Sequence, residues 1–170
     1  MKRYDWFRPG LKPEHIAMSK HLLIIYHSKT GKNGRMASAV NNGASHPEVE
    51  VDVRFMRAAE AGEADLRWAD GIILGTPENF GYMSGALKDF FDRTFYEVEG
   101  EVDGMPYCMF VGAGNDGTGA LTSIRRICNG YNFREVQEPV LIVGELEEHQ
   151  LRACEELGLA MAAGIEAGVF

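Results

Sequence analysis

IILGTPENFGYMSGALKDFFDRTFYEV, residues 72–98, starts as a buried strand and finishes as an amphipathic helix. The run IILG (72–75) is short and apolar, which suits a strand covered on both faces. ALKDFFDRTFYEV then sets Leu87, Phe90, Phe91 and Phe95 at helical spacing, an apolar stripe that faces a core. Between the two, Pro77 to Gly85 holds two glycines, a proline, an asparagine and the aromatics Phe80 and Tyr82. A strand that hands over to a helix through such a loop is a unit of a parallel sheet, and ligands gather at the carboxyl ends of its strands.

The same unit recurs on either side. LLIIY (22–26) reads as a buried strand, and RMASAVNN (35–42) as a short helix closed by Gly43. VEVDVRFM (49–56) alternates valines with charges, so it belongs at or near a sheet edge, and residues 61–69 make one or two helical turns before Gly71. YCMFVGAG (107–114) and LTSIRRICNGY (121–131) supply a fourth strand and helix. VQEPVLIVG (136–144) reads as a fifth strand, with Pro139 near its start where a ladder donor can be spared, and 146–163 as the closing helix. Five such units predict an α/β fold: a flavodoxin-like, doubly wound, five-stranded parallel sheet in the order 2-1-3-4-5, with helices on both faces.

Composition narrows the function. The chain of 170 residues is 45% hydrophobic and 25% charged, as expected of one globular domain. Its formal net charge of −8 repels phosphate backbones and anionic lipid, so neither nucleic acid nor a membrane surface is an expected partner. Residues 1–20 carry +3 and the rest −11, which sets a basic N-terminal extension (1–20) apart from the domain at 21–170. No apolar stretch of signal-peptide type follows those basic residues. Cys108, Cys128 and Cys154 are odd in number and unpaired in motif, which reads as reduced core thiols in a cytoplasmic protein.

Three loops follow strands one, three and four. In HSKTGKNGR (27–35), Ser28, Thr30 and Asn33 offer side-chain donors, and Gly31 and Gly34 let backbone amides converge just before a helix. That is a phosphate cradle of neutral donors, with Lys29 and Lys32 placed to assist an anion; a tight turn without ligand is the competing reading. It is not a P-loop, because Gly31-Lys32 is followed by Asn33 and the earlier glycine position is Tyr26. PENFGYMSG offers planar apolar surface for a flat aromatic ligand. In GAGNDGTGA (112–120), Gly112, Gly114 and Gly117 match G-x-G-x-x-G, but this unit is the fourth and its next strand ends only at Glu145, so a dinucleotide fingerprint is rejected. The glycines read instead as allowing close backbone approach, with Asn115 and Asp116 giving polar contacts or a turn. His27, beside the first loop, reads as structural.

With these residues in view, the chain resembles the flavodoxin-like FMN oxidoreductases. Ser28-Lys29-Thr30-Gly31-Lys32-Asn33 is similar to that superfamily's [ST]-x-T-G-x-[TN] phosphate signature. Gly75-Thr76-Pro77, Phe80-Gly81, Met83-Ser84-Gly85-Ala86-Leu87-Lys88 and Phe91-Asp92-Arg93 resemble the tryptophan-repressor-binding-protein-like quinone oxidoreductases, and Pro77-Glu78 the NAD(P)H-dependent FMN reductases. The resemblance covers residues 21 to about 165. It implies FMN, its phosphate on Ser28, Thr30, Gly31, Lys32 and Asn33 and its ring against Thr76, Pro77, Glu78, Asn79, Phe80 and Gly81. Ala113, Gly114, Asn115, Asp116 and Gly119 would close the other edge. It also implies NADH or NADPH as electron donor, a quinone, flavin or similar small acceptor, and a homodimer; a flavodoxin-type carrier between protein partners is the alternative. Asn33 stands where threonine is frequent, Tyr82 where a smaller polar residue is, and a long insertion near 97–106 is missing.

Overall fold

The computed structural model describes residues 19–170, so the expected N-terminal extension lies almost wholly outside the described residues. Twelve elements follow in order: β1 (Lys20–Tyr26), α1 (Lys32–Ala44), β2 (Val51–Arg57), α2 (Glu63–Trp68), β3 (Gly71–Asn79), β4 (Tyr82–Met83), α3 (Gly85–Val98), β5 (Pro106–Ala113), α4 (Thr118–Gly130), β6 (Arg134–Glu135), β7 (Val140–Val143) and α5 (Glu148–Glu166). The sheet runs β2-β1-β3-β5-β6, with β7 also on β5, and every pair is parallel except β3 with β4. Counting β5 as the fourth strand and β6/β7 as the fifth, this is the expected 2-1-3-4-5 order.

Strand alternation splits the core in two. Leu22, Ile24, Ile73, Cys108 and Phe110 pack on one face against Met36, Val40, Cys154, Leu157 and Met161 of α1 and α5. Leu23, Ile25, Ile72, Leu74 and Met109 pack on the other against Leu66, Leu87, Phe90, Phe91 and Ile124 of α2, α3 and α4. All three cysteines are buried and free, and burial pushes the Cys154 thiol up to about 11. Among the described residues no helix is long and apolar enough to cross a membrane.

Several boundaries differ from expectation, and four of them have a clear physical reason or bear on the site. Gly43 does not close α1 but lies inside it, facing α5: an added Cβ would sit 1.9 Å from the Glu155 carbonyl oxygen, and one on Gly158 2.0 Å from that of Val40. The two glycines let the helix backbones touch. α1 also starts at Lys32 instead of residue 35, with Gly31 at φ 97 as its N-cap. The fifth strand is broken at 136–139, because Pro139 has no N–H to continue the ladder. Finally, β3 runs on to Asn79 and folds back through β4 as a hairpin, where a loop was expected.

Candidate functional site

The three loops do meet at the carboxyl edge of the sheet. In the first, the Gly31 N–H donates to Ser28 Oγ at 3.2 Å, which closes the turn into α1. Because the helix begins at Lys32, the N–H groups of Lys32, Asn33 and Gly34 form its first turn and have no intrahelical acceptor. Asn33 is 3% exposed, yet its Nδ2 has no hydrogen-bond partner among the described residues. A buried amide donor without an acceptor costs about 1–3 kcal/mol, so it marks a place for an anion or other acceptor. Thr30 and Lys29 are exposed at the rim.

Lys32 behaves otherwise than its sequence position suggests. Its Nζ donates to the carbonyl oxygens of Ala113 (3.3 Å), Ile142 (3.0 Å) and Gly144 (2.5 Å). The ammonium is thereby committed to the ends of β5 and β7, and burial lowers its pKa. What Lys32 leaves for an anion is its backbone N–H.

The middle loop is the β3–β4 hairpin, with Glu78 opposite Met83 and Asn79 opposite Tyr82. Its two turn residues, Phe80 at φ 52 and Gly81 at φ 68, both lie in the left-handed region that a two-residue type I′ connection needs. Phe80 is fully exposed (108%), so none of the described residues holds its ring. Phe80→Asn should therefore raise stability by about 0.5–1 kcal/mol, since asparagine tolerates this backbone and no packing is lost. A lower urea midpoint for the variant would contradict that reading. Thr76 is fully buried and structural: its Oγ1 donates to Pro77 O and accepts from the Ser84 N–H at 2.9 Å. Pro77 and Glu78 are half-buried, Asn79 exposed, and the shielded Glu78 Oε2 has no partner among the described residues.

In the third loop three of the four glycines have a close neighbour, and Gly114 stands open. A Cβ on Gly112 would lie 2.4 Å from Asn33 Oδ1, and one on Gly117, at φ 73, 2.3 Å from Leu141 Cδ1. One on Gly119 would lie 1.8 Å from the Gly81 carbonyl oxygen, so the hairpin turn rests directly on the first turn of α4. Of the G-x-G-x-x-G glycines, Gly112 and Gly117 thus serve packing. Gly114 and Asn115 are exposed, Ala113 is buried, and Asp116 turns back to accept from the Thr118 N–H (2.9 Å) and hydroxyl. Those two bonds hold the Asp116 carboxyl below the usual carboxylate range. His27 Nδ1 is buried without a partner among the described residues, and burial, Arg57 and Lys29 together lower its pKa.

Two contributors escaped the sequence reading. Arg57, at the end of β2, stands 5.5 Å from the centroid of the Tyr26 ring and reaches Ser28 O at 3.5 Å, bracing the first loop. Ser123 on α4 accepts from the Met83 N–H at 3.1 Å and so pins the hairpin. Neither has a motif; only the parallel register brings them there. Among the described residues no group of three or more His, Cys, Asp or Glu is arranged to hold a metal ion.

The arrangement offers two kinds of unpartnered group: donors at the α1 amides and Asn33 Nδ2, suited to an anion, and the Glu78 Oε2 acceptor, suited to a polar N–H. Comparison with known proteins agrees in kind. The family model for NADPH-dependent FMN reductase matches residues 40–148. A flavodoxin of Aquifex aeolicus is 32% identical over 157 residues, covering 83% of this chain and 84% of its own. An NAD(P)H dehydrogenase (quinone) of Acidithiobacillus ferrooxidans is 38% identical over 92 residues, 43% of this chain and 46% of that protein. Among solved structures, a flavodoxin from the domain Archaea superposes with a TM-score of 0.75 at 21% identity, over 85% of this chain and 98% of that one.

Proposed function

Because the chain belongs to the NADPH-dependent FMN reductase family, we propose that it is an FMN-dependent oxidoreductase moving electrons from NADPH or NADH to a quinone, a flavin or a similar small acceptor. The observation that carries this reading is the buried, unpartnered Asn33 Nδ2 beside the free amides of Lys32, Asn33 and Gly34. That donor set suits the FMN phosphate, with Ser28 and Thr30 at its margin. The unpartnered Glu78 Oε2 suits a ring N–H of the flavin, a donor with the opposite polarity. Pro77, Asn79, Phe80 and Gly81 would flank one side of the ring and Ala113, Gly114, Asn115, Asp116 and Gly119 the other.

Bound FMN would supply the redox chemistry, taking hydride from the nicotinamide and passing electrons on. The chain's part is to bind and orient it. The α1 amides and positive dipole end would neutralise the phosphate without the Lys32 ammonium, which is committed elsewhere. Glu78 would fix the ring's rotation, and backbone amides of the second and third loops would stabilise the charge that reduction develops. No aromatic occurs at 112–120, which would leave one face of the ring open to a small donor. His27 keeps its imidazole neutral beside the first loop.

A second reading, a flavodoxin-type carrier between proteins, is favoured by the similarity to the Aquifex aeolicus flavodoxin and by the bare Phe80 ring at the site's rim. Stopped-flow mixing of the FMN-loaded protein with NADPH and with NADH separates the two. The reductase reading predicts that at least one nucleotide bleaches the flavin much faster than it bleaches free FMN. Bleaching no faster than free FMN with either would favour the carrier. We further expect a homodimer in the cytoplasm; light scattering showing only an 18.8 kDa particle would refute the dimer.

A further inference from the structure

Arg125 and Arg126 are neighbours on α4 but differ in what they meet. Arg125 is locked to Glu135, Nε to Oε2 at 2.8 Å and Nη2 to Oε1 at 2.7 Å. Arg126 makes no hydrogen bond or ion pair with any described residue, and it lines a groove of about 360 Å³ with Gly81, Tyr82, Thr118, Thr122 and Ser123. Thr118, Thr122 and Arg126 recur every four residues, so they stand in one row along α4. The groove opens at the contact of Gly81 with Gly119, on the rim of the flavin site, and Arg126 lies about 12 Å along the helix from Thr118.

Charge is graded along this row. At the near end the Thr118 hydroxyl is committed to the ionised Asp116 carboxylate. In the wall, the Ser123 hydroxyl is committed to Ala120 O and the Met83 N–H. Besides the Tyr82 hydroxyl, the donors left open are the Thr122 hydroxyl and the Arg126 guanidinium, further along. The Asp116 end of the row disfavours an anion and the Arg126 end favours one. In a chain of net charge −8, a polyanionic nucleotide needs such a local cation.

We propose that this groove takes the phosphate-bearing tail of the nicotinamide donor, with Arg126 and Thr122 reading the 2′-phosphate that separates NADPH from NADH. The assignment rests on the reductase reading for its choice of nucleotide. The planar guanidinium fork matches a phosphate's oxygens in a way a hydroxyl alone does not.

The test uses the FMN-saturated full chain, titrated calorimetrically with 2′,5′-ADP and with 5′-AMP. The expected result is binding about tenfold tighter for 2′,5′-ADP, a preference lost in Arg126→Leu and partly kept in Arg126→Lys. In turnover, the NADPH:NADH ratio of kcat/KM should fall about tenfold in Arg126→Leu. Equal affinity for the two ligands, or a preference that survives Arg126→Leu, overturns the proposal. The titration needs no turnover, so it decides the groove even if neither nucleotide reduces the flavin, an outcome that would sink the reductase reading instead.

Discussion

Gly119→Ala is expected to weaken FMN binding more than tenfold and to lower the stability of the flavin-free protein by about 2 kcal/mol. The added Cβ would meet Gly81 at 1.8 Å from its oxygen, 2.4 Å from its carbonyl carbon and 2.9 Å from its Cα, all of them backbone. No side-chain rotamer can relieve that contact, so the hairpin turn has to lift from α4. Overpacking of this kind costs about 1–3 kcal/mol, while alanine in a helix returns at most about 1 kcal/mol. Steric conflict therefore wins. The lift also moves Glu78, which is paired to Met83 in the same hairpin, and this couples the stability loss to flavin affinity. Gly114→Ala is the control, since an added Cβ there meets nothing within 4 Å. Its urea midpoint should match that of the unchanged protein, and a Gly119→Ala midpoint equally unchanged would refute the packing account.

Lys32→Met keeps the aliphatic stem and deletes the ammonium that joins Ala113, Ile142 and Gly144. Hydrogen bonds from a charged donor are worth about 1.5–3 kcal/mol each, but Ala113 O also accepts from the Gly144 N–H at 2.9 Å and keeps that bond. Relief of the ammonium's partial burial offsets a further part. The expected net loss is about 2 kcal/mol, read as a lower urea midpoint. Hydrogen exchange gives the sharper reading: the Gly144 amide should exchange faster in the variant, while amides of β1 and β2 keep their relative protection. Unchanged exchange at Gly144 would mean that the clamp does not hold the third loop.

Both effects depend on contacts that cross the molecule, and this separates what was legible in the sequence from what was not. The apolar runs of β1, β3 and β5 and the stripe Leu87-Phe90-Phe91 report burial directly, so the parallel sheet and its order could be read. The hairpin could not. Phe80-Gly81 lacks the asparagine or aspartate that usually signals a two-residue turn, and β4 is only two residues long. Gly43 looked like a helix stop because a glycine's local meaning is a C-cap; its actual role depends on α5, far along the chain. The tight turn from Ser28 to Gly31 that leads into a helix was legible, since its Ser and Gly chemistry is local. The commitment of the Lys32 side chain was not, because its acceptors lie up to 112 residues away. Phe80 and Tyr82 read as planar surface offered by the middle loop, which says nothing of where each ring points. The hairpin leaves Phe80 bare at its tip and sets Tyr82 on the groove along α4.

The central claim is that the start of α1, with Asn33 behind it, recognises the phosphate of a flavin mononucleotide. The most direct test is a fluorescence titration of the flavin-free protein with FMN and, separately, with riboflavin, which has the same ring and no phosphate. Two charge-assisted hydrogen bonds to the phosphate would together contribute about 3 kcal/mol or more, so FMN should bind one to one and at least about a hundredfold more tightly than riboflavin. Equal affinity for the two, or no binding of either, would contradict the account.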